Sequence, residues 1–312
     1  MKVLYFGSDS FAVEPLVRLG ESSHQVVGVV GLPDRRAGRG LKAVPTPVVE
    51  KARAEQIPRR QPESLRREEF SGIAGDPGWE VGVVVAYGGL VPRWLLEEPR
   101  YGFVNLHPSL LPRYRGAAPI QRALIGGASI TGVTTILMSE KIDAGDILLH
   151  RESPINDEDT GGTLGERLST LGARLLVQTL DGLESEGIPC VPQEEEKATY
   201  APPLKAEEGN IDWERSGESI DRMVRALDPA PGAYTFFRGK RVKVWKAHVT
   251  DVPPEDEPGT LMNMGKEGFL VNTGTNCLQV VSVQPEGKRR MSAGEFSRGQ
   301  RLIVAERFTT SP

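Results

Sequence analysis

Short runs of apolar residues recur along the first part of the chain and are separated by turn-forming and helical stretches. The runs cover residues 2–6, 25–30, 81–86, 101–106, 130–137 and 147–151, and a helical stretch at 11–19 separates the first two. Strands that are apolar throughout, with helices between them, are typical of a parallel sheet covered on both faces. We therefore predict an α/β fold, with a Rossmann-like, doubly wound, mostly parallel sheet in an N-terminal domain of residues 1–189.

The pattern changes after residue 189. Residues 190–207 contain an acidic run, Glu194–Glu196, and several prolines, which predicts a linker. Beyond it the apolar runs shorten to 233–237, 241–249, 268–272 and 277–283, with Gly and Asn between them. This spacing predicts a smaller C-terminal β-barrel, OB-like, over residues 208–312.

One long helical stretch, 163–183, lies between these two regions. Its leucines recur at helical spacing, and they are Leu164, Leu168, Leu171, Leu175 and Leu176. Such a stripe is typical of a helix that packs on a core, so we assign it a structural role.

Bulk composition narrows the class of protein. A chain of 312 residues with 38% apolar and 26% charged residues is typical of a globular protein of two domains. Two cysteines cannot form a disulfide framework, which predicts a reducing, cytoplasmic setting. No apolar run approaches the length of a membrane span, so we expect no membrane association, and we expect a monomer. The net charge of −4 argues, by itself, against a dedicated nucleic-acid binder.

The candidate chemistry lies at the end of the 101–106 strand. Asn105 and His107 stand two residues apart, so on a strand they project from the same face, and Pro108 ends the strand directly after them. Asp143 follows a second apolar run. An amide donor, an imidazole and a carboxylate at one sheet edge predict a site for acyl or formyl transfer without a metal.

Each of these residues has an ordinary structural explanation when taken alone. A single histidine at a strand end is usually a satisfied structural residue, and an aspartate before Ala-Gly is usually a turn former. The competing chemistries lack their motifs: there is no Gly-x-Ser-x-Gly, no histidine beside Cys190, and no metal-binding or Gly-x-Gly-x-x-Gly spacing. The prediction therefore depends on the combination of the three residues.

Basic residues are clustered despite the acidic total. One cluster lies in a loop rich in Gly and Pro, residues 31–47, and two lie in the predicted barrel. The clusters are Arg35, Arg36, Arg39 and Lys42, then Arg238, Lys240, Arg241, Lys243 and Lys246, and then Lys288, Arg289 and Arg290. Each is explained equally well by a solvated surface or by contact with phosphates.

The segment Asn-Leu-His-Pro-Ser-Leu-Leu-Pro-Arg-Tyr-Arg-Gly-Ala-Ala-Pro-Ile, residues 105–120, followed by Ile-Asp-Ala-Gly-Asp at 142–146, resembles the folate-dependent formyltransferases. Pro-Asp-Arg-x-Ala-Gly-Arg-Gly at 33–40, Ala-Thr-Tyr-Ala-Pro at 198–202 and Pro-Gly-Ala-Tyr at 231–234 are similar to the members that formylate initiator methionyl-tRNA. The resemblance extends over essentially the whole chain.

That resemblance implies roles for many residues. It implies that Asn105, His107 and Asp143 are catalytic, that 10-formyltetrahydrofolate is the formyl donor, and that initiator methionyl-tRNA is the partner. The folate contacts that it implies are Ser109, Leu110, Leu111, Pro112, Tyr87, Gly88, Gly89, Leu90, Met138, Glu140 and Ile142. The tRNA contacts that we expect are Arg35, Arg36, Arg39, Lys42, Arg241, Lys243, Lys288, Arg289 and Arg290.

The sequence departs from the family pattern at two places. The first turn has Gly-Ser-Asp-Ser at 7–10, and the expected pteridine loop has two glycines, Gly88 and Gly89, which a tight turn would also explain.

Two alternative functions stay open. Hydrolysis of the formyl donor would use the same three residues without a basic loop. A non-catalytic RNA-binding protein would bind tRNA without transfer.

Overall fold

Residues 1–37, 42–67, 78–264 and 268–312 are described in the computed structural model of the chain. They form two compact units. The first comprises Met1–Pro119, Ile130–Pro154 and Gly165–Ala201, and the second comprises Ile120–Ser129, Ile155–Leu164 and Pro202–Pro312. The domain bounds expected from the sequence, 1–189 and 208–312 with a linker between them, stay a prediction.

A mixed sheet forms the centre of the first unit. The strands of this unit are, in chain order, β1 Lys2–Gly7, β2 Gln25–Val30, β3 Arg35–Ala37, β4 Lys42–Val44, β5 Arg59–Arg60, β6 Val81–Val85, β7 Phe103–His107, β8 Ile130–Leu137 and β9 Asp146–Pro154. Strands β3 and β4 pair with each other, as a separate hairpin. Within the described part of the chain the sheet has seven strands in the order β5-β2-β1-β6-β7-β8-β9. The pairs from β5 to β7 are parallel, and β8 is antiparallel to both β7 and β9.

The helices of this part of the chain lie between the strands or follow them. They are α1 Val13–Gly20, α2 Pro47–Ala54, α3 Arg93–Leu96, α4 Pro119–Ile125 and α5 Gly161–Glu184, with a 3-10 turn at Ser10–Ala12. All of α4 after Pro119, and α5 up to Leu164, belong to the second unit. Most of the predicted leucine stripe of α5 is buried, since Leu164, Leu168, Leu175 and Leu176 are at most 1% exposed. The parallel strands and intervening helices confirm the predicted Rossmann-like fold.

The two faces of β7 have different surroundings. Leu106 faces α5 so closely that a Cβ on Gly172 would lie 2.8 Å from the Leu106 side chain. On the opposite face Phe103 packs against Phe6 and Trp79. Asn105 and His107 share this second face because they lie two and four residues beyond Phe103. Helix α5 therefore covers the face of β7 that carries Leu106, and Asn105 and His107 project from the other face, toward the loops that follow β6, β7 and β8.

The second unit is built on an antiparallel sheet. Its strands are β10 Ala233–Phe237, β11 Lys240–Val249, β12 Leu261–Met264, β13 Phe269–Asn272, β14 Cys277–Pro285 and β15 Met291–Ser292, and its helices are α6 Gly217–Ala226 and α7 Ala293–Gln300. The order is β10-β11-β14-β13-β12, with β15 on β14.

A segment near the C-terminus bonds to both outer strands of this sheet. The N–H of Phe236 donates to the Thr309 carbonyl (2.9 Å), and the N–H of Leu261 donates to the Glu306 carbonyl (2.7 Å). Phe269 and Phe308 pack together inside, with their ring centroids 5.7 Å apart. The predicted C-terminal barrel is confirmed as a curved antiparallel sheet around its own core.

The helices of the described ranges do not meet the requirements of a membrane span. None of them combines the length with the apolar character that crossing a bilayer needs.

The loop after β7 is attached to β8 by one buried side chain, which supplies a test of the fold. The hydroxyl of Thr134, fully buried, donates to the Ser109 carbonyl (2.7 Å) and accepts from the Leu111 N–H (3.2 Å). We expect Thr134→Val to lower the free energy of unfolding by about 1–3 kcal/mol, because two buried backbone groups lose their partner. Urea denaturation of the purified variant measures this loss.

The same strand offers a matched control. Thr131 is 2% exposed, and its hydroxyl has no hydrogen-bond partner among the described residues. Thr131→Val should therefore leave the free energy of unfolding unchanged or raise it, since it removes a buried polar group that is unpaired. Equal losses for the two valine variants would contradict the role given to Thr134.

Candidate active site

The end of β7 places an amide and an imidazole on one face of the sheet. Asn105 lies opposite Val84 of β6 and Ile136 of β8, and it is 8% exposed. His107 is the last residue of the strand and is 4% exposed. Pro108 has no N–H to continue the ladder, so the chain turns away from the sheet here. Both side chains are therefore held by paired backbone on a central strand.

Asp143 joins them from the loop between β8 and β9. Its Oδ1 accepts from Asn105 Nδ2 (3.1 Å), and its Oδ2 lies 3.7 Å from His107 Nδ1. The backbone of Asp143 has φ of +50°, in the left-handed region that few residues other than glycine occupy. The structure thus brings together the three residues that the sequence singled out, although Asn105 and Asp143 are 38 positions apart in the chain.

The ring of His107 is oriented by a backbone carbonyl. His107 Nε2 lies 2.9 Å from the carbonyl oxygen of Tyr114. A carbonyl oxygen can only accept, so Nε2 carries a hydrogen and donates it. Nδ1 is then the nitrogen that can gain or lose a proton, and it faces the carboxylate of Asp143.

The carboxylate of Asp143 is fixed by the same short segment. The N–H of Gly116 donates to Asp143 Oδ2 at 2.8 Å. Gly116 has φ of +117°, and a Cβ added there would lie 2.8 Å from the carbonyl oxygen of Ala201. Glycine is therefore required at this position for two independent reasons. The residues from Tyr114 to Gly116 hold the imidazole through a carbonyl and the carboxylate through an N–H.

Residues that follow α5 support this segment. The N–H of Arg115 donates to the Thr199 carbonyl (2.8 Å), and the N–H of Ala201 donates to the Arg115 carbonyl (2.7 Å). The Thr199 hydroxyl accepts from the N–H of Tyr114 (2.8 Å). The stretch 199–201 thus pairs with the loop like a short strand.

Sequence analysis missed three further side chains that reach the site, namely Arg115, Gln193 and Glu195. The guanidinium of Arg115 is 3% exposed and bonds to both carboxylate oxygens of Glu195 at 2.9 Å. Hydrogen bonding to Arg115 holds the pKa of the Glu195 carboxyl below its usual value. Gln193 and Glu195 lie in the interval that we predicted as a linker, where an acidic run is typical of a solvated surface.

The residues expected to contact folate fall into two groups. Tyr87 (4% exposed), Leu111 (7%) and Ser109 (fully buried) are packed in the protein, and the Ser109 hydroxyl donates to the Arg113 carbonyl (2.6 Å). Others lie toward solvent or at its edge, and these are Gly88, Gly89, Leu90, Leu110, Pro112, Met138, Glu140 and Ile142.

Two apolar side chains in the second group are unusually exposed. Leu90, after β6, is 79% exposed, and Ile142, beside Asp143, is 65% exposed. Val84 of β6 and Phe103 of β7 belong to the core cluster that includes Tyr87, and Met138 packs against that cluster. The loops around the trio therefore present apolar surface that a flat ring could cover.

The expected tRNA contacts lie in both units. Arg35, Arg36 and Lys42 belong to the β3–β4 hairpin, and Arg39 lies outside the described residues. On β11, Val242 and Val244 are at most 2% exposed while Arg241 is exposed, so the valines and the arginine project from opposite faces of the strand.

Aromatic rings organise several basic side chains of the second unit. The Arg241 guanidinium lies 3.6 Å from the centroid of the Tyr234 ring. Lys243 and Arg290 each lie 5.2 Å from the Trp245 ring, and Arg290 also pairs with Asp228 (3.1 Å). Lys288 and Arg289 are exposed in the turn before β15.

The described part of the chain contains no group of three or more His, Cys, Asp or Glu side chains placed so that they could hold a metal ion.

Comparison with known families gives two matches that together span most of the chain. The family model described as "Formyl transferase" matches residues 1–180. The model described as "Formyl transferase, C-terminal domain" matches residues 203–301.

Individual relatives agree with these matches. The methionyl-tRNA formyltransferase of Carboxydothermus hydrogenoformans is 45% identical over 309 residues, which are 99% of this chain and 99% of that protein. Among solved structures, HypX from Aquifex aeolicus in complex with tetrahydrofolic acid matches with a TM-score of 0.68 at 17% identity. It covers 98% of this chain, which spans about half (48%) of HypX. The methionyl-tRNA formyltransferase from Clostridium thermocellum has a TM-score of 0.57 at 16% identity over 90% of this chain and 99% of that one. At these identities the two structures establish the fold alone.

Proposed function

Because this chain belongs to the formyl transferase family, we propose that it transfers a formyl group from 10-formyltetrahydrofolate to the α-amino group of methionyl-initiator tRNA. The observation that carries the proposal is the convergence of Asn105, His107 and Asp143 on one face of β7. These three residues supply an uncharged hydrogen-bond donor, a titratable ring and a carboxylate. Formyl transfer needs such groups to stabilise an oxyanion and to move a proton.

Formyl transfer begins when the amine attacks the formyl carbon and the formyl oxygen becomes an anion. Asn105 uses one N–H on Asp143, and its second N–H is available to donate to that anion. A well-placed donor of this kind contributes about 3 kcal/mol to stabilisation of the transition state. The amide keeps its donor at any pH, which suits a site where protons move.

His107 and Asp143 manage the proton that the amine must lose. His107 Nε2 is engaged with the Tyr114 carbonyl, so the exchangeable proton of the ring belongs to Nδ1. A proton on Nδ1 is donated toward the developing anion, and the carboxylate of Asp143 lies 3.7 Å from the same nitrogen. Asp143 accepts the proton that the amine loses as its nitrogen bonds to the formyl carbon. The tetrahedral intermediate then re-forms its carbonyl and expels the folate nitrogen, which takes up that proton as the carbon–nitrogen bond breaks.

Folate binding is supported by the surroundings of the trio. The exposed side chains of Leu90 and Ile142 and the buried cluster at Tyr87 border the strands that carry it. A pteridine is flat and apolar on its faces and carries donors and acceptors on its edges. The exposed backbone of Gly88 and Gly89 suits contact with such edges.

Binding of tRNA is supported by the basic residues of the second unit. Arg241, Lys288 and Arg289 are exposed on one sheet and its turn. Charge clustered in this way attracts a phosphate backbone even though the whole chain is acidic.

One assay tests the proposed function directly. Purified protein is mixed with charged initiator tRNA and 10-formyltetrahydrofolate, and formylated methionine is measured after hydrolysis of the ester bond. Formylmethionine is the expected product. Release of tetrahydrofolate without tRNA would indicate hydrolysis of the donor instead, and tRNA binding without any turnover would indicate a non-catalytic RNA-binding protein.

Replacement of Asn105 or His107 tests the roles of the trio. We expect Asn105→Ala to lower kcat by about 10²–10³-fold, because the oxyanion loses a donor. His107→Ala should lower kcat by about 10²–10⁴-fold through loss of proton transfer. Rates are measured at saturating donor and tRNA, and thermal melting checks that each variant is folded.

His150→Ala is the matched control, since His150 is a histidine of β9 that lies outside the trio. It should retain the parental kcat. Near-parental turnover in Asn105→Ala or His107→Ala would refute the catalytic assignment.

A salt titration tests the basic surface. The double variant Lys288→Ser/Arg289→Ser should bind initiator tRNA more weakly, and the slope of log affinity against log salt should become shallower by about 1 for each phosphate that the protein no longer neutralises. Filter binding at several salt concentrations gives this slope. Lys51→Ser/Arg53→Ser, which removes the same charge from α2, is the control. An equal effect in both double variants would show that total charge, rather than this surface, governs binding.

A further inference from the structure

We propose that Gln193, oriented by Arg115, is a positioning residue that holds Asp143 in its working conformation. The inference rests on the proposed function, since its readout is the rate of formyl transfer. It concerns residues outside the trio, and their part in the site is to fix the turn that carries Asp143.

The amide nitrogen of Gln193 fastens this turn. Gln193 Nε2 donates to the carbonyl oxygens of Asp143 (2.8 Å) and Gly145 (2.7 Å). A primary amide has two hydrogens, so both are used in these bonds. They hold together the backbone on either side of Ala144, where Asp143 occupies the left-handed region.

A left-handed aspartate needs such support. This backbone conformation costs of order 1–3 kcal/mol and persists only where surrounding contacts fix it. If the turn relaxes, the carboxylate moves away from both of its donors, which are Asn105 Nδ2 and the Gly116 N–H. The bonds from Gln193 are therefore in a position to decide where the carboxylate lies.

Arg115 determines which way the Gln193 amide points. Gln193 Oε1 accepts from Arg115 Nε (3.1 Å) and Nη2 (2.9 Å). Rotation of the amide by a half-turn would bring its NH₂ group toward the guanidinium and its oxygen toward two carbonyl oxygens. Every contact would then be repulsive, so the guanidinium allows a single orientation.

Glu195 completes the arrangement by holding Arg115. Arg115 and Glu195 form a bidentate salt bridge in which both nitrogen–oxygen distances are 2.9 Å, and the arginine side chain is 3% exposed. A paired, planar guanidinium in this setting is more rigid than a lysine would be. Glu195 therefore fixes the guanidinium of Arg115, Arg115 fixes the orientation of the Gln193 amide, and Gln193 fixes the backbone of Asp143.

The backbone of Arg115 links this chain of contacts to the imidazole. Its neighbours in sequence are Tyr114, whose carbonyl accepts from His107, and Gly116, whose N–H donates to Asp143. One residue thus aligns the carboxylate through its side chain and both titratable groups through its flanking peptides.

The decisive variant is Gln193→Glu. A glutamate keeps the size of the side chain and still accepts from Arg115, but it has no hydrogen to donate to the Asp143 and Gly145 carbonyls. We expect kcat to fall by about 10²-fold, the cost of a misplaced catalytic group, while KM for tRNA and for the folate donor changes little. Steady-state kinetics with each substrate varied in turn separates the two effects.

Two further variants separate positioning from stability. Glu195→Gln keeps a hydrogen-bond partner for Arg115 without the charge, so kcat should fall less than in Gln193→Glu, again with little change in KM. Glu208→Gln is the control, because Glu208 pairs with Arg122 through two contacts in the second unit, apart from the trio. It should lose thermal stability and keep its kcat.

The outcomes are distinguishable. If the unaltered protein does not formylate methionyl-tRNA, the proposed function is wrong. If it does, and Gln193→Glu and Glu195→Gln keep the parental kcat, the positioning role is wrong. An equal loss of kcat in Glu208→Gln would also overturn it, since a general effect of stability would then explain the losses. Should Gln193→Glu fail to fold, Glu195→Gln decides by the same criteria.

Discussion

Two backbone groups, the carbonyl of Tyr114 and the N–H of Gly116, determine the arrangement on which the rest of the site depends. The first accepts from His107 Nε2 (2.9 Å), and the second donates to Asp143 Oδ2 (2.8 Å). A fixed peptide segment therefore aligns two side chains whose protons must move. Side chains placed by backbone of this kind need little reorganisation during reaction, which is the condition for efficient electrostatic stabilisation.

The fold supplies the rigidity that this arrangement needs. Asn105 is paired with strands on both sides and His107 with Thr134 of β8, so the ladder holds both residues in place. The loop that contains Tyr114 and Gly116 is paired in turn with residues 199–201, and the buried Thr134 hydroxyl ties its first part to β8. Each element of the site is thus held by a neighbour of its own, and the carboxylate of Asp143 is the point where the supports meet.

The sequence predicted the framework of this site better than its supports. The apolar run identified β7, and the two-residue repeat of a strand, which is a local property, placed Asn105 and His107 on one face. The contact between Gln193 and Asp143 joins residues 50 positions apart, so no local repeat of the sequence predicts it. Arg115 and Glu195 were missed for a related reason: only the fold buries the Arg115 side chain and brings Glu195, which is 70% exposed, against it, whereas their sequence surroundings are typical of a solvated surface. The same limit applies to the β3–β4 hairpin, whose residues match a loop rich in Gly and Pro.

The tautomer of His107 tests the central claim most directly. Nitrogen-15 NMR of the labelled protein, with the His107 signals assigned by their loss in His107→Gln, reports which ring nitrogen carries the hydrogen when the ring is neutral. If the Tyr114 carbonyl orients the ring, the hydrogen lies on Nε2 and Nδ1 is the unprotonated nitrogen. A neutral ring with its hydrogen on Nδ1 would contradict this account, because Nε2 would then have nothing to donate to that carbonyl.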